Sequence, residues 1–142
     1  MASDALAVLD ALSIERAHLI GGSAGGMIAQ LIAAEHPGRT ASLTLLASTT
    51  NNPELPSGDE SLPQEDLPDS MLRQGLAAGF AGDLRGAGAG IAAPTMVIHG
   101  SEDEIFPPAH GRDLAATIPD ARLTIIDGMG HVPEDAHSDE IA

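Results

Sequence analysis

The stretch Ala17-His18-Leu19-Ile20-Gly21-Gly22-Ser23-Ala24-Gly25-Gly26-Met27-Ile28-Ala29-Gln30 decides the fold. Its first four residues form an apolar run that is too short for a helix and closes on two glycines, which reads as a buried strand. From Gly25 to His36 the composition is that of a helix, stopped by Pro37-Gly38. Between the two lies Gly21-Gly22-Ser23-Ala24-Gly25, a G-x-S-x-G at a strand-to-helix turn. Such a turn holds its Ser in a strained backbone conformation, and only small neighbours leave room for it. Ser23 Oγ would then stand clear at the carboxyl end of the strand, over the start of the helix. The backbone N–H of Ala24 would point to where a negative oxygen develops, assisted by the helix dipole. Two phosphate-binding readings of the same glycines fail. A dinucleotide fingerprint needs Gly at i, i+2 and i+5, which no frame supplies, and a P-loop needs a Lys, which the chain lacks. A tight turn carrying an idle Ser is the third reading.

The rhythm of strand and helix extends outward from this turn. Upstream, Ser3 is placed to cap a helix with Leu6, Leu9 and Leu12 on one side and Val8 beside them, ending near Ser13. Downstream, Ser42 to Ala47 reads as a second strand. Residues 48–93 break the pattern. Asn51-Asn52-Pro53 through Asp69 is rich in Pro, Asp, Glu and Ser and reads as solvated. Met71, Leu72, Leu76 and Phe80 predict a short amphipathic helix, and Asp83 to Ala93, nearly all Gly and Ala, predicts a loop with little to pack. Alternation then resumes: a strand Thr95–His99 after Pro94, a helix Ala109–Ile118 closed by Pro119, and a strand Arg122–Asp127 ended by Gly128. Residues from Glu134 would begin a further helix. The order predicts an α/β fold, a small open parallel sheet of about four strands with helices on both faces, in one domain over residues 1–142.

Composition bounds the function. The 142 residues carry 21 Asp and Glu against 6 basic residues, all Arg, for a net charge of −15. That field repels phosphate backbones and anionic lipid, so neither nucleic acid nor membrane is an expected partner. With no Cys, disulfides, thiolate metal sites and Cys nucleophiles are excluded. The first residues lack the basic and apolar pattern of a signal segment, and no run reaches the length of a membrane span, so a cytoplasmic location is expected. Phe80 and Phe106 are the only aromatic residues. A core of small aliphatics buries little area per residue, which predicts modest stability or support from a partner chain.

An activated Ser needs a base, and the base an orienting acid. Two loops supply candidates: His99-Gly100-Ser101-Glu102-Asp103-Glu104-Ile105-Phe106-Pro107 after the third strand, and Asp127-Gly128-Met129-Gly130-His131 after the fourth. Both follow parallel strands at the sheet edge that carries Ser23, where function gathers in open α/β sheets. Asp103, Glu102 and Glu104 are all candidates for the acid. His99, at a strand end, reads as structural. His110, Glu134, Asp135 and His137 show no metal-ligand spacing and read as a solvated acidic face. Met27, Met96 and Met129 read as packing residues that also line an apolar acyl pocket. No metal or organic cofactor is implied.

Taken together, residues 17–30, Pro94 to Gly100 with Asp103, and Gly128 to His131 resemble bacterial α/β-hydrolase esterases, in particular the aclacinomycin methylesterase-like group. The resemblance covers about residues 4–50 and 92–133. It implies Ser23 as nucleophile, Asp103 as acid through the family's G-x-x-D spacing, and His131 as base. It also implies Ala24 N–H as an oxyanion donor, a substrate wall from Gly22, Met27, Phe106 and Met129, and a serine carboxylesterase acting on small or short-chain esters. An acyltransferase or perhydrolase would use the same three residues.

The chain departs from that family in two ways. The lid is reduced to residues 51–90, and the amino-terminal strands have no counterpart. The second departure removes the loop that supplies a second oxyanion donor, a loss worth on the order of 10²–10³ in kcat. Weak activity, best on activated esters, is therefore expected. It also leaves Ala17–Gly21 as an uncharged edge strand, a pairing template that predicts a homodimer. The rival reading is a catalytically silent fragment that acts as a binding or dimerisation module.

Overall fold

A computed structural model describes residues 1–56 and 82–134, together with His137 and Ile141. Four parallel strands form the sheet: β1 (Ala17–Gly22), β2 (Thr40–Leu46), β3 (Thr95–Gly100) and β4 (Arg122–Ile126), hydrogen-bonded in chain order. The helices are α1 (Ala2–Ala11), α2 (Ala24–Glu35), the single turn α3 (Arg85–Gly88) and α4 (Ala109–Thr117). Each strand lies within two residues of its predicted bounds. The predicted helix around Met71 to Phe80 lies outside the described residues.

Period-two alternation sorts the sheet's side chains onto two faces. One face carries Leu19, Leu43, Leu45, Val97 and Leu123, packed against Ala29 and Ala33 of α2 and Leu114 of α4. The opposite face carries Leu46, Met96, Ile98 and Ile126, joined by Met129 and Ile141. Among the described residues, then, α2 and α4 cover one face, and Met129 and Ile141 pack on the other. The topology also makes β1 an edge: it pairs with β2 alone among the described strands, and its Ile20 is 79% exposed.

Two local expectations are corrected. Helix α1 starts at Ala2, a strong helix former, so Ser3 falls inside the first turn and caps nothing. The segment Asp83–Ala93 is not an idle loop. Leu84 and Ile91 at its two ends are buried to 3% and 1% exposure, and the small residues between them let α3 come close to Thr117 and Ile118. A tally of Gly and Ala hides the two large apolar residues that dock the segment.

Candidate active site

Ser23 joins β1 to α2 with φ 51° and ψ −124°, a conformation that costs a non-glycine residue about 1–3 kcal/mol. The turn is tight because β1 and α2 come into backbone contact at Gly21, where a Cβ would lie 2.5 Å from the Gly25 carbonyl oxygen. Its geometry is held from β2. The Ser23 N–H donates to Leu46 O at 2.9 Å, and the Ser23 carbonyl accepts from Gly26 N–H at 2.9 Å and from Ser48 Oγ at 2.8 Å. In a trans peptide the C=O and the following N–H point in opposite directions. Fixing the Ser23 carbonyl inward therefore turns the Ala24 N–H outward, and no acceptor among the described residues takes it. Ser48 is fully buried and was not foreseen from sequence. A Ser after a strand is ordinary turn chemistry, and only the fold places it beneath Ser23.

The loops after β3 and β4 meet over this turn. His131 Nε2 lies 3.0 Å from Ser23 Oγ, and His131 Nδ1 lies 2.9 Å and 3.1 Å from the two Asp103 oxygens. A carboxylate only accepts, so Nδ1 carries the proton and Nε2 presents a lone pair to the Ser23 hydroxyl. Asp103 is 3% exposed, whereas Glu102 and Glu104 face solvent, which separates the three candidate acids. Asp103 Oδ1 also accepts the N–H groups of Ile105 (2.9 Å) and Phe106 (2.8 Å). Burial by itself pushes the Asp103 carboxyl up, but hydrogen bonds from His131, His99 and the Phe106 N–H outweigh it and hold the group well below the ordinary carboxylate range.

The residues expected to line the substrate site divide. Gly22 is exposed beside Ser23, and Phe106 sets its ring edge-on to His131 with centroids 5.5 Å apart. Met129 has no exposed surface and packs with Ile98 and Ile126, while Met27 is buried in the first turn of α2. Met96 lies at the amino end of β3, on the wall of a groove at the sheet end opposite Ser23. A cavity of about 260 Å³ opens beside Phe106, walled by Thr49, Asn51, Asn52, Leu55 and His110 among others.

His110 is corrected from a surface residue to a buried strut. Its Nδ1 pairs with Thr49 Oγ1 at 2.8 Å and its Nε2 with Pro56 O at 3.0 Å. Nearby, Asp113 accepts from Thr50 Oγ1 and from Asn52 Nδ2, so α4 pins the start of the segment after β2. His137 Nδ1 accepts from the Glu134 N–H, and Asp135 lies outside the described residues. No cluster of three potential metal ligands occurs among the described residues.

Comparison with known proteins agrees with this architecture. Residues 1–90 and 70–134 match the alpha/beta hydrolase fold family. The chain is 30% identical over 196 aligned positions to rhodomycin D methylesterase DauP of Streptomyces sp. (strain C5), covering 92% of this chain and 66% of the relative. It is 28% identical to 2-hydroxymuconate semialdehyde hydrolase of Pseudomonas putida over 179 positions, covering 97% of this chain and 64% of the relative. Both alignments are longer than the chain itself, so the relatives carry insertions inside the matched span. Among solved structures, a hydrolase from Pseudomonas aeruginosa PA01 superposes with a TM-score of 0.70 at 28% identity, over 92% of this chain and 63% of that one. The chain thus spans about two thirds of the length of these relatives. On the match to both segments of the family and on the shared fold, the chain belongs to the alpha/beta hydrolase fold family.

Proposed function

We propose that the protein is a serine carboxylesterase that hydrolyses small or short-chain esters through an acyl-enzyme. The observation that carries this reading is the continuous hydrogen-bonded chain from Ser23 Oγ through His131 to Asp103, built on a strained turn at the start of α2. In the proposed reaction Ser23 Oγ bonds to the ester carbonyl carbon while its proton passes to His131 Nε2. Asp103 holds the imidazole and balances its positive charge. The Ala24 N–H stabilises the tetrahedral oxyanion. The C–O bond to the alcohol then breaks, and the departing oxygen takes the proton from His131. Water repeats the sequence on the acyl-enzyme and frees Ser23.

The methylesterase relative supports an ester substrate. The proposal also includes a homodimer formed through the free edge of β1 and a cytoplasmic location, both expected from the sequence. No described helix is long and apolar enough to cross a membrane.

The test is hydrolysis of a p-nitrophenyl acyl series by the purified protein, with Ser23→Ala and His131→Ala as controls. Turnover that is fastest for short acyl groups and lost in both variants is expected. Activity unchanged in Ser23→Ala, or no activity in a folded wild type, would sink the esterase reading in favour of a silent binding module.

A further inference from the structure

His99 is fully buried, although nothing in the proposed reaction uses it. It is the fifth residue of β3, and its ring fills a seat made by two elements distant in sequence. Helix α4 passes over it at Gly111, where a Cβ would lie 2.8 Å from His99 Cβ and Cγ and 2.9 Å from Nδ1. Only glycine at that position leaves room for an imidazole.

The orientation of the ring is fixed by its partners. Nε2 lies 2.7 Å from the Phe106 carbonyl oxygen and 3.4 Å from Asp103 Oδ2. Both neighbours are pure acceptors, so Nε2 carries the proton and donates it to the carbonyl, while the carboxylate oxygen lies within electrostatic contact. Nδ1 then presents only a lone pair, and it has no partner among the described residues. Phe106 closes the circuit: its N–H donates to Asp103 Oδ1, its carbonyl accepts from His99, and its ring lies against His131.

From this geometry we propose that His99 is a positioning residue for the acid of the triad. It locks the turn Asp103–Phe106 so that the carboxylate meets His131 Nδ1 with both oxygens. This inference rests on the Ser23–His131–Asp103 reading. His99 touches no reacting atom. It acts by holding Asp103 in one rotamer and Phe106 against His131, where a simple core residue would only fill space.

The experiment compares His99→Gln, His99→Asn and His99→Leu in the full chain. Gln carries its amide N–H₂ at the reach of Nε2, Asn carries it only at the reach of Nδ1, and Leu carries no donor. Each variant is measured for melting temperature, for kcat and KM on an activated p-nitrophenyl ester, and for the low-field proton NMR resonance of the His131 Nδ1–H bonded to Asp103. The expected result is a fall of roughly tenfold in kcat with little change in KM for Leu and Asn, together with a shifted or broadened low-field resonance, and substantial recovery of both by Gln. Should Leu fail to fold, Gln and Asn still decide, since both are polar and differ in donor reach. Loss of activity that follows melting temperature alone, or equal behaviour of Gln and Asn, would overturn the proposal. Ser23→Ala and Asp103→Ala run alongside keep the two readings apart: activity retained in them refutes the triad, whereas their inactivity beside a fully active His99→Leu refutes only the role of His99.

Discussion

Ser23, the proposed nucleophile, is held in a backbone conformation that costs stability. Its positive φ is a conformation glycine adopts freely, so Ser23→Gly should raise stability by about 1 kcal/mol while abolishing turnover. A calorimetric melting temperature should rise by roughly 3–5 °C. Asp103 works through charge. Its carboxyl is depressed in the folded state, so the stability it contributes is fully present above the unfolded value near 4 and is lost as pH falls below that value toward the folded one. Circular dichroism during acid titration should therefore show stability falling below about pH 4 in the wild type and a flatter curve in Asp103→Asn. The same variant should lose on the order of 10³–10⁴ in kcat, because an amide no longer selects the Nδ1–H tautomer of His131. The positions of Ser23 and His131 are legible in the sequence because strand–turn punctuation places both just past the carboxyl ends of parallel strands, on one edge of the sheet. Asp103 was distinguishable from Glu102 and Glu104 only by the family resemblance, since which carboxylate turns inward depends on the loop's backbone.

At the level of elements, all four strands are readable because each is a short, largely apolar run with Gly or Pro close to at least one end, and their parallel order follows from the helices between them. Local composition misleads for the segment Asp83–Ala93 and for His110, because tertiary contacts decide both, whereas Ser3 loses the cap position to the helix propensity of Ala2. The segment Asp83–Ala93 gives the clearest test. Ile91 packs in the main cluster with Val97 and Leu114, so Ile91→Ala should destabilise the fold by about 2–4 kcal/mol in urea unfolding. An effect under half a kcal/mol would restore the reading of an idle loop. Ser48 and His99 escaped as functional candidates for a related reason: each acts on a backbone or side chain that lies near it only once the sheet has formed.

The whole molecule combines a net charge of −15 with an edge strand that carries no charged side chain. These oppose each other in the proposed dimer, because the edge offers backbone pairing while like-charged copies repel. Sedimentation equilibrium should therefore show association that strengthens with salt, and Ile20→Lys should weaken it. A monomer at every concentration and ionic strength would reject the dimer. The position of β1 has a further consequence for how the protein fails under stress. Ser23 follows β1 at one end of the described sheet, whereas Asp103 and His131 follow β3 and β4, which are neighbours at the other end. Sub-global opening of β1 with α2 would carry Ser23 away and leave Asp103 and His131 in register. Inactivation should then precede unfolding along a denaturant series, and amide exchange in β1 should run ahead of exchange in β3.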